Sequence, residues 1–562
     1  MRQNLYVLVS VFLFLVLPQF LRAQTSVKPT ELTMALNTEF ETLNPNVNSM
    51  MAALYVQDAT LRPLVALTPE GKPRAYLIKE IPSIEKKTAK LTGSGNRKGL
   101  NVQIEFLEKA RWGDGKPVTC EDLKTSWLVG VHPNTSNPER STFDNISDIQ
   151  PDAKNPKKCT VLFKEAKWDF YLNFPRPIPK HIEGPIFEKY KDTPQAYERN
   201  SAFIRDVTNP ALYNGPYRVS ELKLGSHAIL IPNEYFYGKP PQISKLIFKF
   251  ILNTSTIEAN LRAGTINMTT PSGMSFDQAL AFEQKVKSDG LPFEVVFATG
   301  ASYTQLVFNL DHEPFKDLQV RQAIAHAVNA GQMVEAFFSG KQKRAHHFSS
   351  PVDSWFTENP KEITLHAYDR TKAQTLLDKA GWKIGPDSYR YKDGKKFSIT
   401  VSGAAENKVA ELTEVFVQDQ LKQVGIELLI KNYPARVLFS EIFRQRKFEL
   451  ALSTIVSTPD SMPRSTLHSQ MIPTPANAWS GVNRHGWKNT NVDRWIEDVE
   501  IEFNPKKRIT LMKKILKTYT DELPALVLYY RASVSIIPKG LKNYQLSGHS
   551  YTDYLTAEEW SF

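Results

Sequence analysis

The stretch that decides the fold is NGPYRVSELKLGSHAILIPNEYFYGKPPQISKLIFKFILNTSTIEANLRAGTIN, residues 214–267. It opens with a tight Asn-Gly-Pro turn and continues as a strand, a polar turn and a second strand that ends at Asn233. An aromatic turn then leads to a third strand and to a helix that closes on Gly264. Three strands followed by a helix predict part of a domain that mixes sheet and helix.

The rest of the chain alternates between strand and helix patterns. Near the start, residues 31–36 predict a strand and residues 50–61 a helix that ends before Pro63. After residue 298 the alternation predicts an α/β domain with a central sheet. Its predicted strands are 303–309, 395–402, 425–431, 447–453 and 523–530, and its predicted helices are 317–338 (capped by Asp317), 369–381, 407–424, 436–444 and 505–520.

The first residues have the pattern of a secretory signal. Arg2 supplies a positive start, residues 5–17 form an apolar run, and Ala23 is a plausible cleavage position. We therefore predict a signal peptide at residues 1–23; an uncleaved N-terminal anchor is the alternative. Because no Cys follows the apolar run, a lipid anchor is not expected, and we predict an exported, periplasmic protein that is not a lipoprotein.

Composition and charge limit the classes of function. The chain has 562 residues, 41% apolar and 23% charged, which predicts a globular protein of two or three domains. The formal net charge of +11 would suit a nucleic-acid or anionic-membrane partner. Because the Lys and Arg residues are scattered and the chain carries an export signal, we predict no nucleic-acid partner.

The two cysteines, Cys120 and Cys159, leave two possibilities open. An exported protein can keep a disulfide, and a bridge here would close a loop of about 40 residues. The alternative is two buried free thiols, since the sequence does not set the distance between them.

Signatures of common enzymes are absent from the sequence. It contains no Gly-x-Ser-x-Gly elbow, no Walker loop and no His-Glu-x-x-His motif. The Gly-rich stretch 93–99 has the wrong spacing for a dinucleotide loop and predicts a hairpin tip. His346-His347 and Asp311-His312-Glu313 could suggest metal ligands, but adjacent His side chains cannot easily aim at one ion. We predict no catalytic residues, no cofactor and no bound metal.

Five segments, in order, resemble the family 5 extracellular solute-binding proteins, the large peptide- and nickel-binding receptors of bacterial ABC importers. The five segments are 60–83 (Thr60-Leu-Arg-Pro-Leu64, Pro69-Glu-Gly71, Ile81-Pro-Ser83), 110–127 (from Ala110-Arg-Trp-Gly-Asp-Gly), 214–267, 308–327 (with Val320-Arg-Gln-Ala323) and 491–524 (from Asn491-Val-Asp493 to Leu523-Pro524).

The chain departs from the family pattern at residues 452–463. In peptide binders this stretch commonly carries Gly-Trp and an Asp that holds the ligand's amino terminus. Here the Gly-Trp is missing, and Asp460 could serve as that Asp.

The resemblance implies an α/β, two-lobed periplasmic binding protein fold with an extra inserted subdomain and a ligand cleft between the lobes. Lobe I would comprise residues 24–64, 207–299 and 524–562, with the subdomain inserted at 65–206. Lobe II would span residues 300–523. Hinge closure would bury the ligand between the lobes.

The same resemblance implies a set of ligand-binding residues at three places in the cleft. A loop after the first strand would offer main-chain groups to an extended ligand, and a turn after a later strand would bring a carboxylate to the ligand's ammonium group. An aromatic side chain would wall a pocket. The residues are Glu39, Phe40, Glu41 and Thr42; Tyr303 and Thr304; Ser457 and Asp460; and Trp479 as the wall.

The function that the resemblance implies is reversible capture of extended oligopeptides and their delivery to the permease subunits of an ABC transporter in the inner membrane. The protein is expected to act as a monomer with a peptide or other small-molecule ligand. Alternatives are a receptor for an oligosaccharide or chelated nickel, an exported hydrolase, and a chaperone-like protein whose cleft holds unfolded segments. Ligand identity, length and affinity do not follow from the sequence.

Overall fold

The structure is a computed structural model that describes residues 30–93, 98–405, 407–549 and 553–562. The predicted signal peptide and part of the predicted hairpin tip at 93–99 lie outside the described residues. Within the described ranges, no helix combines the length and the apolarity needed to cross a bilayer.

The described residues form twenty strands. In chain order they are β1 (Glu31–Leu36), β2 (Val65–Leu67), β3 (Pro73–Ala75), β4 (Ala89–Thr92), β5 (Gly99–Glu105), β6 (Ile146–Pro151), β7 (Lys158–Phe163), β8 (Tyr217–Lys223), β9 (His227–Pro232), β10 (Lys245–Phe250), β11 (Met268–Thr269), β12 (Phe293–Phe308), β13 (Lys343–Arg344), β14 (Lys383–Ile384), β15 (Arg390–Lys392), β16 (Lys395–Lys396), β17 (Ser398–Ala404), β18 (Glu427–Tyr433), β19 (Leu450–Ile455) and β20 (Ala525–Pro538).

The same residues form seventeen α-helices, of which α14 continues as a π-helix over Leu438–Phe443. They are α1 (Met51–Thr60), α2 (Cys120–Val131), α3 (Arg140–Asp144), α4 (Lys180–Tyr190), α5 (Ala196–Asn200), α6 (Ala202–Arg205), α7 (Ile257–Arg262), α8 (Phe276–Asp289), α9 (Glu313–Lys316), α10 (Leu318–Ala327), α11 (Ala330–Phe338), α12 (Arg370–Lys379), α13 (Lys408–Lys422), α14 (Ala435–Val437), α15 (Arg464–Leu467), α16 (Thr490–Ile501) and α17 (Pro505–Glu522).

The stretch 214–267 forms three strands and a helix, as predicted. Strands β8, β9 and β10 pair antiparallel, and β10 continues parallel to β1, giving a five-stranded sheet in the order β11-β1-β10-β9-β8. The inward side chains alternate along each strand; Leu230 and Leu246, for example, are fully buried. The predicted strand 31–36 is confirmed as β1.

The Asn-Gly-Pro turn joins three distant parts of the chain. Gly215 donates its amide to the carbonyl of Thr60 (2.8 Å), and a Cβ on Gly215 would lie 2.6 Å from the Thr60 carbonyl carbon. The Asn214 side chain accepts a hydrogen bond from the amide of Arg62 (2.7 Å). Arg62 is buried and pairs with Glu558 at 2.5 Å. Only glycine allows this close approach, and the turn therefore fixes the end of α1 beside the C-terminal segment.

A four-stranded antiparallel sheet, β4-β5-β7-β6, packs beside the five-stranded sheet within one continuous apolar core. Helix α2 covers it and begins with a capping box formed by Thr119 and Asp122. Cys120 at the start of α2 forms a disulfide with Cys159 in β7, with the two Cα atoms 5.9 Å apart. Of the two possibilities that the sequence leaves open, the structure has the disulfide.

A six-stranded sheet in the order β13-β20-β12-β19-β17-β18 organises the second half of the chain. On one side, residues of α10, α11 and α13 pack against β12, β17 and β20 to form an apolar core. On the other side, α16 and α17 pack against β20 through side chains that include Ile496, Met512 and Leu516. Covering helices on both faces are typical of an α/β layer architecture, as predicted.

Strands β12 and β20 run from the six-stranded sheet to the side of the five-stranded sheet. Residues 303–307 of β12 pair with residues 525–530 of β20 inside the six-stranded sheet, and residues 293–299 pair with 532–538 beyond it. The second segment packs with α7 and α8, and Ser535 donates a hydrogen bond to the carbonyl of Thr269 in β11 (2.6 Å). The pairing register shifts between Thr299 and Tyr303. The two strands therefore cross from one sheet to the other around Gly300.

The predicted helix 317–338 is two helices in the structure. Asp317 caps the first, as predicted, by accepting from the Gln319 amide (2.8 Å). The backbone becomes extended at Val328, and the Asn329 side chain accepts from the Gln332 amide (3.0 Å) to cap the second. Asn competes with helical hydrogen bonds and favours caps, so it breaks a run whose apolar periodicity alone predicts one helix.

The glycine at the crossing gives a test of this connection. A Cβ on Gly300 would lie 2.2 Å from the Gly548 carbonyl oxygen and 2.9 Å from that of Arg531, both backbone atoms. We expect Gly300→Ala to lower the free energy of unfolding by about 1–3 kcal/mol. The control is Gly331→Ala in α11, where the nearest atom is at an ordinary 3.5 Å. Equal stability of the two variants in chemical denaturation would contradict the close packing at the crossing.

The disulfide gives a second test. It closes a loop with a sequence separation of 39, for which the chain-entropy account gives about 3–4 kcal/mol of stabilisation. We expect the double variant Cys120→Ala, Cys159→Ala to lose about that much unfolding free energy, and a reducing agent to change only the wild type. A wild type that is insensitive to reductant and as stable as the variant would argue against the bridge.

Candidate ligand-binding cleft

The turn at Ser457–Asp460 leaves β19 and is fixed by main-chain hydrogen bonds. The Asp460 amide donates to Asp353 Oδ1 (2.8 Å), and Asp460 Oδ1 accepts from the Ser354 amide (2.6 Å). Asp460 has a φ of 57°, in the left-handed region that Asp and Asn tolerate better than most residues. This reciprocal pair of hydrogen bonds ties the turn to the 350–355 segment.

A cavity of about 290 Å³, which we call the β19 cavity, opens on one side of this turn. Its wall combines apolar side chains with polar groups, the mixture that ligand sites commonly have. The residues that matter below are Tyr303, Asp353, Phe439, Val456, Ser457 and Arg484.

A second cavity, of about 460 Å³, opens on the other side of the turn, and we call it the α1 cavity. Thr458 is its one lining residue from the six-stranded half. The rest come from α1 and the chain on either side of it, from α3 and the residue before it, and from the 169–176 connection, with Leu54, Phe143, Phe174 and Arg176 among them. The 457–460 turn therefore lies where the two halves of the molecule face each other.

The two halves touch next to the turn. Trp168, in the connection between β7 and α4, donates its amide to the Glu500 carbonyl of α16 (3.1 Å). The Arg508 guanidinium lies 3.9 Å from the centroid of the Trp168 ring, and the Trp355 ring lies 6.5 Å from it edge-on. Aromatic and cation–π contacts of this kind stabilise the interface between the two halves by non-covalent interactions alone.

Half-buried carboxyl groups concentrate around the turn. Burial raises the pKa of Asp353 to about 7, although hydrogen bonds from Asp460 and Ser350 oppose the shift. Burial also raises the pKa of Asp460 and that of Asp169. Desolvation disfavours the charged form of each group, so the site is poised to gain from a cationic partner.

Of the five predicted site residues after residue 300, the structure brings four together: Tyr303, Thr304, Ser457 and Asp460. Tyr303 and Ser457 both line the β19 cavity, and the Ser457 amide lies 3.5 Å from Ser302 Oγ. Asp460 adjoins it through Asp353. Thr304 is buried and its hydroxyl lies 3.0 Å from that of Thr454 on β19, so its side chain is part of the sheet packing.

The other predicted site residues line neither cavity. Phe40 is buried against Phe250 (ring centroids 5.6 Å apart), and buried Thr42 accepts a hydrogen bond from the Asn44 amide (3.1 Å). Glu39 is half-buried, Glu41 is exposed, and Trp479 is half-buried in a turn after residues 475–477. The roles predicted for these residues stay predictions. The side chains of Phe40 and Thr42 already make contacts within the protein.

Asp353, Phe439 and Arg484 also line the β19 cavity, and no motif or spacing in the sequence points to any of them. Asp353 follows two serines in an irregular segment, and Phe439 sits on a π-helix that the predicted helix 436–444 does not distinguish. Only the tertiary contacts bring these three residues beside Ser457.

The two His-containing clusters have local partners. His347 Nε2 lies 2.7 Å from the Thr357 carbonyl oxygen, and burial lowers the pKa of His346 to about 4. Asp311 pairs with Arg446 at 2.7 Å. Across the described ranges, no group of three or more His, Cys, Asp or Glu side chains is arranged to hold a metal ion.

Two sheet-centred halves, two connecting strands and a cavity lined from both halves are the features of a two-lobed α/β binding protein. The family description "Bacterial extracellular solute-binding proteins, family 5 Middle" matches residues 97–472, and the chain belongs to this family. The family relationship inferred from the sequence is thus confirmed.

Individual relatives agree with this assignment. The Oligopeptide-binding protein AppA of Bacillus subtilis is 26% identical over 472 residues, 82% of this chain and 81% of the relative. The oligopeptide binding protein of Thermus thermophilus, solved with a pentapeptide, is 26% identical with a TM-score of 0.66, over 94% of this chain and 96% of that one. NikA of Brucella suis, solved with Fe(III)-EDTA, shares the fold at 20% identity and a TM-score of 0.73, over 94% and 99%. The proteins named here are binding proteins rather than enzymes.

The raised pKa of Asp353 predicts a pH-dependent stability. Because the folded-state pKa, about 7, lies above the unfolded value, the contribution of Asp353 is fully present below pH 4 and is lost as the pH rises through 7. We expect the stability of the wild type relative to Asp353→Asn to fall by at most about 1.4 kcal/mol per pH unit over that range. Denaturation of both proteins from pH 4 to pH 8 measures the difference. A constant offset between the two curves would contradict the shift.

Proposed function

We propose that this protein reversibly captures an extended oligopeptide between its two lobes and delivers it to the permease subunits of an ABC importer. The observation that carries the proposal is the 457–460 turn, which borders a cavity on each side at the meeting of the two halves. A ligand crossing this turn would contact both halves at once. The names of the Bacillus and Thermus relatives support a peptide as that ligand.

The export route and assembly complete the proposal. The signal at residues 1–23 directs the chain to the periplasm without a lipid anchor, and the protein acts as a monomer whose two lobes dock on the permease. Lobe I comprises residues 24–64, 207–299 and 524–562, the subdomain 65–206 is inserted in it, and lobe II spans 300–523. The first residues of β20, 525–530, still pair within the six-stranded sheet. We therefore move the boundary between lobe II and the last part of lobe I from residue 523 to about residue 531.

The chemistry of the site suits a peptide. Main-chain groups of an extended ligand can pair with exposed main-chain groups of the receptor, which gives affinity that tolerates different side chains. We assign the ammonium group of the ligand to Asp460, whose carboxylate is partly desolvated beside Asp353. The loop 39–42 contributes through its main chain, since Phe40 and Thr42 are packed.

Asp460→Asn tests the proposal, because the variant removes the charge and keeps an oxygen that can accept the Ser354 amide. Asn also tolerates the left-handed backbone at this position. If Asp460 pairs with a ligand ammonium, affinity for a pentapeptide should fall by about 2–5 kcal/mol with little change in melting temperature. Calorimetric titration with a pentapeptide and with its N-acetylated form measures both affinities.

Two outcomes would count against the assignment. If Asp460→Asn binds the free pentapeptide as tightly as the wild type does, Asp460 only sets the turn. If the wild type itself binds no pentapeptide, oligopeptide capture is wrong for this chain.

A further inference from the structure

Arg484 is a half-buried cation in the wall of the β19 cavity, and no carboxylate of the described residues pairs with it. Its Nε atom is fully buried and makes no hydrogen bond. Burial alone lowers its pKa, and no carboxylate of the described residues opposes that shift. The guanidinium makes a cation–π contact with the Phe443 ring, whose centroid lies 5.1 Å from the guanidinium carbon.

The neighbouring Arg446, by contrast, has hydrogen-bond and ion-pair partners for its guanidinium group. Arg446 pairs with Asp311 at 2.7 Å and donates to Asn309 Oδ1 (2.9 Å) and to the Arg484 carbonyl (2.9 Å). The contrast matters because a buried donor without an acceptor costs free energy in the folded state. Arg484 carries such a cost and faces a cavity.

The backbone holds Arg484 in place. Its amide donates to the Val482 carbonyl (2.8 Å), and its carbonyl accepts from Arg446. The Asn483 side chain donates to the carbonyls of Leu467 (3.0 Å) and Trp487 (2.9 Å). These bonds fix the backbone from which the Arg484 side chain extends, and the contact with Phe443 orients its guanidinium, which reduces the ordering cost of binding.

The rim of the same cavity carries apolar side chains that a ligand would cover. Val456 is 77% exposed and Phe439 is 51% exposed, and both line the cavity with Arg484. Exposed large apolar side chains beside a half-buried cation without a carboxylate partner favour a ligand that has both an apolar part and an anionic group.

We propose that Arg484 binds a carboxylate of the captured ligand inside the β19 cavity. This inference rests on the proposed function and narrows it to peptides that place an acidic group there. A guanidinium presents its donors in a fork that matches a carboxylate, so the pair is directional as well as charged. The Asp353 carboxyl in the same cavity does not compete, since its oxygens accept from Ser349, Ser350 and Asp460.

The carboxylate has two possible sources in a peptide: the C-terminus or an Asp or Glu side chain. Two single pentapeptides and two pentapeptide mixtures separate these sources in calorimetric titration. An alanine pentapeptide with a free C-terminus is compared with its C-terminal amide. Amidated mixtures carrying Glu, or Gln, once at each position are compared with each other. We expect the wild type to prefer one acidic form over its neutral counterpart by about tenfold to a hundredfold.

Arg484→Gln should abolish that preference, so that the acidic and neutral peptides bind with equal affinity. The matched control is Arg436→Gln, which removes the same charge from an exposed arginine outside the cavity and should keep the preference. Because Arg484 has no partner in the unliganded protein, Arg484→Gln should melt at or above the wild-type temperature. A purely structural arginine would instead lower the melting temperature when replaced.

The outcomes separate this inference from the proposed function. If the wild type binds acidic and neutral peptides equally, or if Arg484→Gln keeps the preference, the Arg484 assignment is wrong while peptide capture stands. If no peptide binds, thermal shift with citrate decides the assignment. A shift in the wild type that is absent in Arg484→Gln supports an anion site, and equal shifts overturn it.

Discussion

The pairing of β12 with β20 is the constraint on which the rest of the structure depends. The two strands pair through most of their length, yet their halves belong to different packing units, one in the six-stranded sheet and one against α7 and α8. The register shift after Thr299 and the close contact of Gly300 with Gly548 mark where they cross. Two paired strands keep the halves aligned while leaving a gap between them, so a cleft follows from the topology.

The cleft is built from a rigid turn with unusual electrostatics. Main-chain donors of Ser350 and Asp460 converge on Asp353, which is half-buried. Arg484 is held by its backbone and lacks a partner for its buried Nε. Such arrangements cost stability in the empty protein and become favourable only with a ligand that supplies the missing charge. We expect a receptor, unlike a structural protein, to keep such destabilising groups in its cleft, because they contribute to ligand binding.

Much of the fold was predictable because it depends on local patterns. The stretch 214–267 predicts its strands and helix from turn residues and periodicity, and Asp317 predicts its cap. The site was harder. Ser457, Asp460 and Tyr303 follow from the family resemblance, whereas Asp353 and Arg484 lie more than a hundred residues apart and meet only through tertiary packing. Periodicity also missed the break at Asn329, where a side-chain cap overrides an apolar stripe.

The most direct test of the account is mass spectrometry of whatever the natively purified protein releases when it is denatured. If the cleft captures oligopeptides, the released material will be a set of short peptides in about one-to-one ratio with the protein. Release of a single sugar or metal chelate in the same ratio, with no peptides, would contradict the central claim and leave only the fold and the family assignment.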